Sequence, residues 1–185
     1  MEINNFFDNY LKKDSLFKDK SVLLSTYLPD DILFREEQLR EVANIIAPAL
    51  RMERPSNLFV FGKTGTGKTL SIKYILNSML DTAKKNYILF KPIYINCKLK
   101  RVADTEYRLL AQVIRELGHD IPGTGLPTDE VYNVFYRLID RQKQVVLLVL
   151  DEIDQLTKKI GDEILYNLTR INSELRNSQI CLIGI

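Results

Sequence analysis

Apolar positions along this 185-residue chain keep two rhythms. In residues 1–13 they gather at Phe6, Phe7, Tyr10 and Leu11, the spacing of one face of a short amphipathic helix. Residues 14–34 show no period, and Pro29-Asp30-Asp31 signals a turn. Near Arg35 the helical spacing resumes with Leu39, Val42, Ile46 and Leu50. Glu36 and Glu37 fall in its first turn, where the helix dipole favours acids, and Pro48 and Pro55 bracket its exit. Beyond this, short apolar runs alternate with helical stretches. The runs predict strands at about 58–62, 91–96, 145–150 and 180–185. The helical stretches predict helices over about 67–84, around Leu110, Val113, Ile114 and Leu117, around Val131, Val134, Phe135, Leu138 and Ile139, and over about 162–176. Val145 to Leu150 is apolar without a break, as in a strand buried on both faces of a parallel sheet. The alternation predicts an α/β domain with right-handed crossovers.

Two features depart from a plain alternation. Two helical patterns, not one, separate the second and third strands. The connector His119-Asp120-Ile121-Pro122-Gly123-Thr124-Gly125-Leu126-Pro127 is rich in helix breakers, which reads as a helical hairpin at the surface. The chain also stops inside an apolar run at Ile185, from which we expect a partial chain.

Composition narrows the class. Hydrophobic content of 45% and charged content of 27% are those of an ordinary globular domain. The net charge of +2 provides no broad basic field, so any nucleic-acid contact must come from a local patch. No apolar stretch is long enough to cross a bilayer, and the N-terminus has no basic signal region. Cys97 and Cys181 are isolated and read as buried thiols rather than a disulfide. His119 is the only histidine, which argues against zinc chemistry and histidine triads.

The chemistry is concentrated in two places. Gly62-Lys63-Thr64-Gly65-Thr66-Gly67-Lys68-Thr69 follows the apolar run Leu58 to Phe61 and precedes a helical pattern that opens at Leu70. This is the G-x-x-x-x-G-K-[ST] phosphate loop in its strand-to-helix setting. The loop's amides, at a helix N-terminus, suit an anion. Lys68 adds a cation for the outer phosphates, and the Thr69 hydroxyl suits magnesium. The second place is the end of the 145–150 run, where Asp151-Glu152-Ile153-Asp154 follows. Asp151 is placed as a magnesium partner, and Glu152 as the group that orients and polarises an attacking water. Asp154 reads as a capping or solvated carboxylate. Basic residues gather at Lys98, Lys100 and Arg101, with Lys84-Lys85 and Lys158-Lys159 elsewhere; such runs are commonly solvated faces.

A family likeness runs through these residues. It is carried by Tyr27-Leu28-Pro29, Arg35-Glu36-Glu37-Gln38-Leu39, Ala47-Pro48-Ala49-Leu50, Pro55-Ser56-Asn57, the phosphate loop, Ile95-Asn96-Cys97, Gly125-Leu126-Pro127-Thr128-Asp129-Glu130-Val131-Tyr132 and Leu150 to Asp154. Over about residues 15–185 the chain strongly resembles the archaeal replication initiators of the origin-recognition and cell-division-control type, which are AAA+ ATPases. The resemblance implies a P-loop NTPase three-layer sandwich with a parallel sheet ordered 5-1-4-3-2, here ending before the fifth strand and the lid. It implies an N-terminal arm, residues 1–34, and an ATPase core, residues 35–185. It further implies ATP or ADP with Mg2+ as ligands, and slow, switch-like hydrolysis that is weak in this stretch alone. Tyr27, Leu28, Pro29 and Arg35 map to the family's adenine pocket, and residues 119–132 to an initiator-specific wedge against DNA. Thr124, Gly125, Leu126 and Pro127 would then touch DNA, with Lys98, Lys100 and Arg101 as further contacts. Implied partners are double-stranded origin DNA, the replicative helicase and a paralogous initiator subunit, with no membrane. The implied setting is cytoplasmic and chromosome-associated. The family's sensor asparagine, sensor arginine, arginine finger and winged helix would lie past Ile185.

Two rival readings share the nucleotide motifs. One is an AAA+ ATPase of another clade, clamp-loader-like or remodelling proteins, which does not call for the Gly125 to Tyr132 box. The other is a DNA-binding scaffold that keeps ADP as a structural ligand.

Overall fold

The computed structural model describes residues 3–24, 27–99 and 103–185. The chain divides into two compact units, Met1–Ile32 and Leu33–Ile185. The first carries α1 (Ile3–Leu11), whose Phe6, Phe7, Tyr10 and Leu11 are exposed, and a single 3-10 turn over Ser21–Leu23.

The second unit holds α2 (Glu36–Ile46), β1 (Leu58–Phe59), α3 (Lys68–Lys85), β2 (Phe90–Asn96), α4 (Glu106–Glu116), α5 (Thr128–Ile139), β3 (Val145–Asp151), α6 (Ile153–Ile160), α7 (Glu163–Arg170) and β4 (Gln179–Gly184). The strands form one parallel sheet in the order β1-β4-β3-β2, four of the five positions that the resemblance implies. Pro92 lies in β2, an edge strand. Cys97, five residues on, turns its N–H inward to the Asp151 carbonyl, so Pro92 by parity presents its missing donor to the open edge.

The alternation of the central strands sorts the core into two layers. Val145, Leu147 and Val149 of β3 join Cys181 and Ile183 of β4 beneath α2 and α3. Val146, Leu148 and Leu150 face the other way, with Ile93, Ile95, Ile180 and Leu182, onto α4 to α7. All six residues of the apolar run are buried because helices cover both faces. The two cysteines sit in opposite layers and are free. Burial pushes the Cys181 thiol up to about 11, with Arg54 drawing it partly back. Among the described residues no helix is long and apolar enough to cross a membrane.

Three elements differ from the sequence expectation. The first strand covers only Leu58–Phe59, with one more bond from the Val60 N–H to the Gly184 carbonyl before the chain leaves for the loop. A helix not expected from sequence, α6, starts directly after β3 and stops at Gly161, whose φ of 85° suits glycine. The helix expected over 162–176 is α7 alone, followed by a 3-10 turn over Ile171–Ser173. It ends early because Asn172 clasps the backbone of β4, donating to the Ile180 carbonyl and accepting from the Ile180 N–H, both at 2.8 Å.

Candidate nucleotide site

The loop between β1 and α3 carries the glycines where its backbone needs them. Gly65 and Gly67 have φ of 78° and 80°, and a Cβ on either would meet nothing within 4 Å. The demand there is conformational rather than steric crowding. The Lys68 ammonium folds back over the loop and donates to the carbonyls of Gly62 (2.9 Å) and Lys63 (3.1 Å). Thr66 ties the loop from within, its hydroxyl donating to the Lys63 carbonyl at 2.8 Å. Thr64 is exposed and Leu70 half-buried.

Asp151 ends β3 on the α3 side of the sheet and is 4% exposed. A carboxylate this enclosed needs donors on both oxygens. Oδ2 accepts the Thr69 hydroxyl at 2.9 Å and the Tyr94 hydroxyl at 2.5 Å, and Oδ1 accepts the Glu152 N–H at 3.0 Å. Thr69 and Asp151, 82 positions apart, therefore meet, which brings Lys68 and the loop to the end of β3. The Thr69 hydroxyl gives its proton to Asp151, which leaves its oxygen lone pairs for another partner. A hydroxyl oxygen beside a carboxylate is a hard-donor pair of the kind magnesium takes. The donor set fits that ion.

Glu152 sits in the left-handed region, with φ 56° and ψ 44°. For a residue with a Cβ this conformation costs about 1 kcal/mol. It breaks the strand alternation at the point where the chain turns into α6, and Ile153 is then held by a 2.9 Å bond from its N–H to the Ile185 carbonyl. Asp154 lies exposed in the first turn of α6 and pairs with Lys158 at 2.8 Å. The Lys158 hydrogen bond holds its carboxyl below the ordinary range.

Tyr94 was not singled out from the sequence. It stands on β2 facing α3, half-buried, and the Lys73 ammonium lies 4.3 Å from its ring centroid. Burial first, then the bond to Asp151, raises its pKa, so the phenol remains a donor. A tyrosine inside an apolar strand, level with the strand that ends in Asp151, was the available signal. Cys97 follows β2, and burial, reinforced by Asp151 and opposed by Lys159, pushes its thiol up to about 12. It is therefore a packed thiol at neutral pH, not a nucleophile.

The remaining sequence candidates lie on other segments of the chain. Tyr27, Leu28 and Pro29 belong to the first unit, and Arg35 to the second, where it precedes α2. Lys98 is exposed just past β2, while Lys100 and Arg101 lie outside the described residues. Lys159 is engaged, donating to the Cys97 carbonyl at 3.0 Å and to Asp104 at 3.3 Å. Thr124, Gly125 and Pro127 are exposed, and Leu126 packs against the α4 to α7 core. The α4–α5 hairpin is tied by a bond from the Tyr107 hydroxyl to the Pro122 carbonyl at 2.6 Å, and by Glu106, which accepts from Tyr132 and from Asn167.

A parallel sheet with helices on both faces, and a phosphate loop meeting a strand-end aspartate, define a P-loop nucleotide-binding domain. The chain belongs to the AAA domain family, whose profile matches residues 51–185. Over its whole length it is similar to the ORC1-type DNA replication protein of Pyrococcus abyssi, with 44% identity over 189 residues. That alignment takes in 100% of this chain and 44% of that protein. The Aeropyrum pernix ORC1 protein, solved in complex with DNA, superposes with a TM-score of 0.79 at 39% identity, over 91% of this chain and 43% of that one. The Aeropyrum pernix ORC2 protein, solved as ADPNP–ADP complexes, shares the fold with a TM-score of 0.72 at 23% identity, over 92% of this chain and 46% of that one. The chain thus spans less than half the length of the curated relatives it matches.

Proposed function

We propose that the chain is the nucleotide-binding part of a replication initiator that binds and hydrolyses ATP, recognises duplex origin DNA and helps to recruit the replicative helicase. The observation that carries the nucleotide half is the 2.9 Å bond from Thr69 to Asp151, which supports a metal site at the mouth of the phosphate loop. In this reading the loop amides of residues 62–69 and the Lys68 ammonium hold the phosphates. Thr69 and Asp151 hold magnesium, which when bound neutralises charge on the phosphate oxygens. Glu152 orients and polarises the attacking water. Tyr27, Leu28, Pro29 and Arg35 take the adenine, on the strength of the resemblance alone. The DNA half is supported by the likeness to an ORC1 protein solved with DNA, and by the resemblance that the Gly125 to Tyr132 box carries. Thr124 to Pro127, with Lys98, Lys100 and Arg101, are the proposed contacts.

The test uses the whole protein. Lys68→Ala is expected to abolish ATP binding measured by equilibrium titration. Glu152→Gln is expected to bind ATP as the parent does while releasing no phosphate above background. Parent-rate hydrolysis by the glutamine variant would remove Glu152 from its role.

A further inference from the structure

Asp151 has more support than its neighbours in the chain provide. Thr69 comes from the first turn of α3 and the Glu152 N–H from the adjoining peptide, but Tyr94 reaches in from β2, 57 positions away. Its hydroxyl and that of Thr69 converge on the same oxygen, Oδ2, at 2.5 and 2.9 Å. Lys73 lies one helical turn beyond Thr69 on α3, so the two share a face. From there its ammonium covers the Tyr94 ring at 4.3 Å, a cation–π distance. Thr69, Asp151, Tyr94 and Lys73 therefore form a closed circuit between α3, β3 and β2.

An aspartate at a strand end has two free side-chain torsions. Asp151 is also the last residue of β3 and precedes a residue in the left-handed region, so no further strand residue flanks its side chain. A donor from a rigid neighbouring strand restricts those torsions before any ligand arrives. Ligand-orienting contacts of this kind raise metal affinity by sparing the ordering of the donors.

We propose that Tyr94, steadied by Lys73, is a positioning residue that locks the Asp151 carboxylate against Thr69, so that the magnesium of a bound nucleotide meets donors already in place. This rests on the nucleotide reading above. A merely space-filling tyrosine would also stabilise the fold, but its loss would not discriminate between nucleotide with and without magnesium.

The experiment measures binding of a fluorescent ATP analogue to the whole protein, first in EDTA and then across a magnesium titration. In Tyr94→Phe the affinity in EDTA is expected to match the parent, while the magnesium concentration giving half of the added affinity rises about tenfold, as for loss of a hydrogen bond to a charged group. Lys73→Met is expected to move the midpoint in the same direction by a smaller factor, and it carries the test if the phenylalanine variant folds poorly. A parental magnesium midpoint in the variants, or an equal loss with and without magnesium, overturns the inference. A parent protein whose nucleotide binding ignores magnesium would instead overturn the nucleotide reading, and this inference with it.

Discussion

Tyr87 illustrates how one residue can work against an otherwise regular element. It follows α3 with φ 54° and is 96% exposed. The Ile88 N–H bonds back to the Ala83 carbonyl at 2.9 Å and the Tyr87 N–H to the Lys84 carbonyl at 3.3 Å. This is the Schellman arrangement, in which the left-handed position is usually glycine. Tyr87→Gly removes the Cβ strain and gives up almost no packing. We expect the melting temperature to rise by a few degrees, for a gain of about 1 kcal/mol; no rise in a thermal scan would count against the strain. Glu152 has the same backbone conformation, but there it coincides with a proposed catalytic carboxylate. Strain kept at such a position fits a functional demand on where the side chain points.

At the scale of elements, Asp140 shows how a loop is ordered by a distant carboxylate. It ends α5 and accepts the backbone N–H groups of Arg176, Asn177 and Ser178 at 2.7–3.1 Å. These bonds set the approach to β4, whose register places Gly184 beside Leu150. Desolvation opposes the charge, but the hydrogen bonds from Ser178, Arg176 and Asn177 outweigh it and hold the carboxyl below its ordinary value. A group depressed on folding stabilises the native state above its unfolded pKa and loses that contribution as pH falls through the carboxylate range. Asp140→Asn should therefore lower stability at neutral pH by about 1 kcal/mol, as for a lost cap. It should also flatten the acid side of the stability curve, measured by urea unfolding between pH 3 and 7. An unchanged acid slope would mean that the depressed carboxyl does not contribute.

At the scale of the whole molecule, the question is how a chain with a net charge of +2 would hold DNA. A weak global field leaves local contacts, and the proposed ones are Lys98, Lys100 and Arg101, with Thr124 to Pro127. Each phosphate neutralised contributes about 0.9 to the slope of log affinity against log salt. Replacing the three basic residues by alanine in the whole protein should therefore flatten that slope by about two to three units in filter binding to duplex DNA. An unchanged slope would place the contacts elsewhere. Binding that does not distinguish origin from other duplexes would favour an AAA+ protein of another clade.

Much of this molecule was legible in advance for a physical reason. Glycines at a strand-to-helix turn, an apolar run with no polar break, and helical spacing of Val131, Phe135 and Ile139 are local demands of backbone and solvent, and they are written residue by residue. They suffice for the phosphate loop, the parallel strands and the two helices between the second and third strands. Other features are decided only when distant segments meet. The brief β1 depends on how far β4 runs beside it, and the early end of α7 on Asn172 reaching Ile180. The bond from Tyr94 to Asp151 depends on register, because pairing Asn96 with Asp151 places the tyrosine level with Val149, within reach of the carboxylate. Register is a property of two strands together, so no single stretch of sequence could state it.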